Sequence, residues 1–160
     1  WARENPQDSF IGLELRYKRL VLAAKKIEQL ALPNILLMRE KGEFVDEYLS
    51  HNNIDCIHIN FPDPWPKKAR RKHRILSADF LTKMHPYFRS GGELRFKTDH
   101  LEYFETVTEI LQKLENYKIV EHTTDLQRSN YIENNILTEF EMLFKSKGNP
   151  PIGYLRAETL

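Results

Sequence analysis

Residues 60–74 read Asn-Phe-Pro-Asp-Pro-Trp-Pro-Lys-Lys-Ala-Arg-Arg-Lys-His-Arg, which puts a carboxylate, an indole and a dense cationic run on one short segment. Pro62, Pro64 and Pro66 forbid helix and deny a sheet its donors. The chain is therefore expected to leave a strand at Pro62 and to run extended and stiff through Pro66. A plain surface turn has no use for such stiffness. A site that must hold a carboxylate in register with a reacting group depends on it, which makes Asp63 the candidate catalytic residue. Six of the eight residues from 67 to 74 are Lys or Arg, with no acid between them, a pattern suited to a phosphodiester backbone. Taken singly, each part has an ordinary explanation as a strand stop, a turn cap or a solvated face. Their fusion in one loop is what points to chemistry.

The elements that must position this loop can be read in order. Residues 54–59 form an apolar run that reads as a buried strand, so Asp63 and Trp65 fall at a strand's C-terminal edge, where open α/β sheets bind ligands. Upstream, residues 9–15 are β-rich and contain Glu14. Leu20, Ala23, Ala24, Ile27, Leu30 and Ala31 then recur at helical spacing until Pro33, residues 35–38 read as a short strand, and Phe44, Val45 and Leu49 suggest a short helix. Downstream, Ser77 suits the N-cap of a helix carrying Phe80, Leu81 and Met84. Gly91-Gly92 turns the chain into a strand over 93–98. A long amphipathic helix from Asp99 aligns Phe104, Val107, Leu111 and Leu114, and 117–122 and 137–145 are expected to be two closing strands. Residues 123–135 lack periodicity, a length usual for functional or mobile loops, and are expected to bring Asn130 and Tyr131 near Thr138. Strands alternating with helices predict an α/β fold with a mainly parallel sheet.

Composition narrows the class further. The 160 residues are 41% apolar and 29% charged with a formal net charge of +1, so affinity for nucleic acid has to come from local clustering, which the 67–74 run supplies. The single cysteine, Cys56, cannot form an internal disulfide, which fits a reducing compartment. No apolar run reaches membrane-spanning length, and a cytoplasmic location without membrane association is expected.

The segment Phe61-Pro-Asp-Pro-Trp-Pro-Lys-Lys with its basic tail resembles the signature of the bacterial tRNA (guanine-N7)-methyltransferases. Lys97-Thr98-Asp99, Thr138-Glu139-Phe140-Glu141 and Phe10-Ile-Gly-Leu-Glu14 resemble further motifs of that family. The resemblance covers essentially the whole chain. It implies a Rossmann-like fold with helices on both faces of the sheet and an antiparallel last strand, S-adenosylmethionine as cofactor, and transfer of its methyl group to N7 of a guanine in the variable loop of tRNA. For oligomeric state, monomer and homodimer both remain open.

On this reading Glu14, ending a strand, accepts hydrogen bonds from the cofactor's ribose hydroxyls, as acids at that position do in nucleotide-binding folds. On its own terms it is also an ordinary acid before a basic helix. Lys41-Gly42 stands where the family carries an Asp-Ala pair facing adenine, and Glu40 beside it leaves that contact unassigned. Asp63 would orient the reactants, lie against the cofactor and offset charge developing on the purine; N7 carries a lone pair without deprotonation, so no strong base is needed. Lys67 would hold a phosphate or purine oxygen, while Ala69, Arg70, Arg71, Lys72, His73 and Arg74 would track the RNA backbone. Trp65 either stacks on a base or packs beneath the loop. Asp99 fits a capping box with Glu102, and the resemblance adds a contact to the target nucleotide. Thr138, Glu139, Phe140 and Glu141 alternate as a strand would, and the resemblance assigns them to the substrate, with carboxylates available to the N–H groups of guanine.

Two other readings fit some of these residues. Enzymes that methylate exocyclic amines use an Asn or Asp followed by two prolines and an aromatic, but here Asp63 separates Pro62 from Pro64. A non-catalytic RNA-binding module would keep the basic loop alone. The six glycines, at 12, 42, 91, 92, 148 and 153, include no Gly-x-Gly pair, although close approach to a nucleotide cofactor favours one. The expectation is one methyltransferase domain over 1–160, lacking its first strand and glycine-rich loop and belonging to a longer protein whose upstream segment carries them.

Overall fold

The structure, a computed structural model, describes residues 1–145, 148 and 150–160. They form two compact units, Trp1–Tyr48 and Leu49–Leu160. In the first, strand β1 (Phe10–Leu13) pairs in parallel with β2 (Ile35–Met38), and helix α1 (Tyr17–Gln29) connects them. Ala31, at φ 49°, ends the helical run just before Pro33. Asn34 then ties down the N-terminal segment, its side-chain amide donating to the carbonyls of Ala2, Asn5 and Asp8 at 3.2, 3.1 and 2.9 Å. The short helix expected near Phe44 is a 3-10 segment, Gly42–Tyr48.

The second unit is built on a four-stranded mixed sheet in the order β3-β4-β6-β5. Its strands are β3 (Ile54–Asn60), β4 (Phe88–Thr98), β5 (Tyr117–Thr123) and β6 (Gly153–Thr159). β3 and β4 are parallel, and β6 lies antiparallel between β4 and β5. Helix α2 (Ala78–Met84) starts where expected, with the Ser77 hydroxyl accepting from the Phe80 N–H at 3.2 Å. Helix α3 (Leu101–Lys113) buries Tyr103, Phe104, Val107 and Leu111, the latter three on the predicted stripe. Phe96 of β4 meets Tyr103 and Phe104 with ring centroids 5.5 and 6.2 Å apart. Gly153 opens β6 because any β-carbon there would lie 2.7 Å from the Phe104 ring, so only glycine permits this approach of strand to helix.

The opposite side of the sheet carries an ion-pair network beside the buried Tyr154. Arg156 of β6 reaches Glu93 at 2.6 Å, Glu158 at 3.0 Å and Glu121 at 3.1 Å, while Arg95 closes on Glu93 at 2.6 Å. His58 of β3 lies 3.4 Å from the Cys56 sulfur. Burial, with the nearby charges of Arg95 and Lys97, pushes the His58 imidazole down to about 4. Burial likewise pushes the Cys56 thiol up to about 12, so this pair is a neutral thiol beside a neutral imidazole.

The last strand is a correction. Residues 137–145 do not pair into the sheet; they form helix α4 (Glu139–Lys145), and the closing antiparallel strand is Gly153–Thr159. Thr138 and Glu141 make a reciprocal cap, the Glu141 N–H donating to the Thr138 hydroxyl at 3.1 Å and the Thr138 N–H to the Glu141 carboxylate at 2.8 Å. The same four residues that satisfy strand alternation thus form a capping box, and they start a helix. Among the described residues no helix is long and apolar enough to cross a membrane.

Candidate active site

The loop after β3 is held at both ends and in the middle. At its start Phe61 donates its N–H to the Lys97 carbonyl at 2.8 Å. Its ring packs on Phe140 and Phe144 of α4, with centroids 5.0 and 5.9 Å away. The loop is not extended throughout, which corrects the expectation. Phe61 and Trp65 sit at φ 49° and 42°, in the left-handed region that bulky residues avoid, at a cost of roughly 1–3 kcal/mol each. Such conformations persist only where the surroundings enforce them, and they mark the Pro62-Asp63-Pro64 segment as a strained bridge between two pinned aromatics. Asp63 is exposed at its centre. The half-buried Trp65 ring packs on His73 with centroids 5.3 Å apart, so packing within the loop accounts for it.

The basic run winds into a 3-10 segment, Lys68–His73, directly after Lys67. Lys67, Ala69, Arg70, Arg71, Lys72 and His73 are exposed, although Arg71 already pairs with Glu102 at 2.8 Å. Arg74 departs from the expectation. It is buried, donates from Nε to the Pro64 carbonyl at 2.7 Å, and pairs with Glu102 at 2.6 Å. Its guanidinium lies 4.5 Å from the Tyr103 ring centroid. The Arg74 hydrogen bond is the foremost cause holding the Glu102 carboxyl below the usual carboxylate range.

At the end of β4 a buried ion pair backs the loop. The Lys97 ammonium lies 3.2 Å from the Glu141 carboxylate, donates to the Ile136 carbonyl at 3.1 Å, and also bonds the Asn135 side-chain oxygen. Glu141 is 1% exposed and accepts from the Asn135 amide at 2.9 Å as well as from the Thr138 N–H. Burial pushes its carboxyl up, but the Thr138 N–H, the Asn135 amide and Lys97 outweigh this and hold it below the usual range. Burial pushes the Lys97 ammonium down, with Glu141 opposing. Glu141, expected to face guanine, has its carboxylate engaged from within by Lys97, Asn135 and Thr138. The Thr138 hydroxyl is engaged in the cap, Phe140 rests on Phe61, and Glu139 is exposed.

Asp99 is exposed at the junction of β4 and α3, but it is not the helix cap. His100 takes that place, its Nδ1 accepting from the Tyr103 N–H at 3.2 Å, and Glu102 turns instead to Arg71 and Arg74. The aperiodic residues 123–135 carry 3-10 segments at Leu126–Arg128 and Asn130–Asn134. Tyr131 packs on Tyr154, and Asn135 bonds Glu141 of the Thr138 motif. Sequence reasoning misses Lys97, Asn135 and Glu102 as positioning groups. The one signal that could have found any of them is a lysine in a strand otherwise rich in core residues.

In the first unit, Glu14 follows β1, half-buried. One carboxylate oxygen accepts from the Arg16 N–H at 2.7 Å and the other lies 4.0 Å from Arg19. An acceptor of this kind at a strand end fits the paired hydroxyls of a ribose. Glu40 is differently disposed, one oxygen bonding the Lys41 N–H at 2.8 Å and the other the Tyr48 hydroxyl at 3.2 Å.

Comparison with known proteins gives these features a context. A family model described as "Putative methyltransferase" matches residues 1–153. The chain is 42% identical over 159 residues to a bifunctional glycosyltransferase/methyltransferase of Fusobacterium nucleatum, covering 99% of this chain and 24% of that protein. It is 38% identical to a tRNA (guanine-N(7)-)-methyltransferase of Mycoplasma pneumoniae, covering 92% of this chain and 71% of the relative. An Enterococcus faecalis protein of the same name is 36% identical over 92% of this chain and 68% of its own length. Among solved structures, an rRNA methylase of Streptococcus thermophilus superposes with TM-score 0.63 at 15% identity, over 95% of this chain and 74% of the other. A SAM dependent methyltransferase of Aquifex aeolicus does so with TM-score 0.60 at 11% identity, over 95% and 69%. The fold is thus the Rossmann-like α/β fold of these enzymes, and the chain belongs to the bacterial tRNA (guanine-N7)-methyltransferase family.

Proposed function

We propose that this chain carries out tRNA (guanine-N7) methylation, with S-adenosylmethionine as methyl donor and a guanine in the variable loop of tRNA as acceptor. The observation that carries the reading is the strained, pinned loop that presents Asp63 immediately before an exposed basic 3-10 segment. The cofactor, when bound, supplies an electrophilic methyl group on a sulfonium. Glu14 takes the ribose hydroxyls. Asp63 faces the reacting purine, aligns it and offsets the positive charge that grows as N7 becomes alkylated. Lys67 binds a phosphate or purine oxygen, Arg70, Arg71 and Lys72 neutralise backbone phosphates, and the exposed Asp99 and Glu139 contact the target nucleotide. No group needs to abstract a proton before transfer. The reaction belongs to the cytoplasm, where tRNA is matured.

The product tests this reading. Incubation of the intact protein with unmodified tRNA and S-adenosylmethionine is expected to yield a cationic 7-methylguanine whose strand breaks after borohydride and aniline treatment. An exocyclic methylamine in its place would assign the loop to the amine methyltransferases, and binding without transfer would make it an RNA-binding module.

A further inference from the structure

We propose that Arg74, the last cation of the basic run, is a positioning residue for the Asp63 loop and not a ligand of RNA phosphate, with Glu102 as its anchor on α3. The inference rests on the methyltransferase reading above for what the loop does, but its geometry stands alone. A phosphate ligand needs an accessible guanidinium. Arg74 is buried, and four of its five N–H groups already have acceptors: Pro64 from Nε, Glu102 and Thr106 from Nη1 at 3.4 Å each, and Glu102 again from Nη2. One face of the guanidinium is covered by the Tyr103 ring. The Tyr103 hydroxyl in turn accepts the Leu76 N–H at 3.0 Å, so the chain on both sides of Ile75 is tied to the same helix.

The point of attachment on the loop matters most. Pro64 lies between Asp63 and Trp65, and its carbonyl belongs to the peptide that leads into the left-handed Trp65. A bulky residue relaxes out of that region unless something holds the adjacent peptide, and Arg74 holds it with a charged donor backed by a bidentate carboxylate. The path from α3 through Glu102 and Arg74 to Pro64 is therefore a strut that sets where the Asp63 carboxylate stands. Glu102 also binds Arg71, so the same acid draws one exposed cation of the run toward the helix.

The test compares Arg74→Gln, Arg74→Lys and Arg70→Gln in the intact protein, in a background where Trp1 and any other tryptophan except Trp65 are replaced by Phe so that Trp65 is the sole indole. Three quantities are measured: the single-turnover methyl-transfer rate at saturating tRNA, the slope of log affinity against log salt, and Trp65 emission. Both Arg74 variants are expected to lower the saturating rate by about 100-fold, as a misplacement near 1 Å does, and to shift Trp65 emission while keeping the parental salt slope. Lysine is not expected to rescue, since it cannot reproduce the fork. Arg70→Gln is expected to reduce the slope by roughly 0.7–0.9. A comparable loss of slope in Arg74→Gln, restored by Arg74→Lys, would overturn the proposal in favour of a phosphate contact. Should the Arg74 variants lose their cooperative melting transition, Glu102→Gln replaces them. It is expected to slow transfer with an unchanged or steeper salt slope, and a rate within twofold of the parent would overturn the strut. A parent protein that transfers no methyl group would sink the functional reading, whereas salt slope and Trp65 emission would still decide the role of Arg74.

Discussion

The Nε of Arg74 donates to the carbonyl of Pro64 across 2.7 Å, so a residue whose type suggests RNA binding serves to brace the loop that presents Asp63. This bond joins the two halves of residues 60–74. The proline-rich half lacks free backbone donors of its own at Pro62, Pro64 and Pro66, and the basic half supplies one from a side chain. Neighbouring cations thus divide the work, with Arg70 and Lys72 facing outward and Arg74 turned in.

Asp63→Ala is expected to keep the fold and tRNA affinity and to lose methyl transfer. Removing one preorganised electrostatic interaction with developing charge costs roughly 10²–10³ in rate. Single-turnover kinetics with saturating tRNA measures this, and a variant within threefold of the parent removes Asp63 from the catalytic role.

Neutralising Arg70, Arg71 and Lys72 together is expected to weaken tRNA binding and flatten its salt dependence, by roughly 0.7–0.9 in slope for every phosphate left without its cation. Arg71 shares its charge with Glu102 and should contribute the least of the three. Fluorescence titrations across a salt series read the slope directly, and a parental slope would make the run a solvated face.

Lys97→Met is expected to destabilise the protein by roughly 3–5 kcal/mol, because it strands the buried Glu141 carboxylate. Adding Glu141→Leu should recover much of that loss, since neither charge is then left without its partner. Denaturant melts of the two single variants and the double variant close the cycle, and strict additivity would contradict coupling across the pair.

Stability is expected to fall as pH drops from 6.5 to 4. With its folded-state value lowered to about 4, His58 stays neutral in the fold over a range where the unfolded chain takes up a proton, so the unfolded state binds more protons there and stability rises with pH. The loss at the acid end reaches roughly 3 kcal/mol. Urea melts at several pH values should show it, and His58→Asn should flatten the profile in that window. An unchanged slope in the variant would place the acid sensitivity elsewhere.

The sequence by itself determined the features that depend on near neighbours. The apolar stripe of α3 follows from 3.6-residue spacing, the start of α2 from the Ser77 cap, and the exit from β3 from three prolines, all of which act within a few residues. The same reasoning located the loop and its acid. It could not separate strand from helix at Thr138-Glu139-Phe140-Glu141, where four alternating residues satisfy either pattern. That was settled by Phe140 and Phe144 finding Phe61, and by Glu141 finding Lys97 and Asn135. Nor could it tell Arg74 from Arg70, two identical side chains in one run. Propensity and periodicity are written into adjacent residues, whereas the partner of a charge is whatever the completed fold carries to within about 3 Å of it. Only the tertiary structure, by laying α3 beside the loop, turned one of those arginines inward.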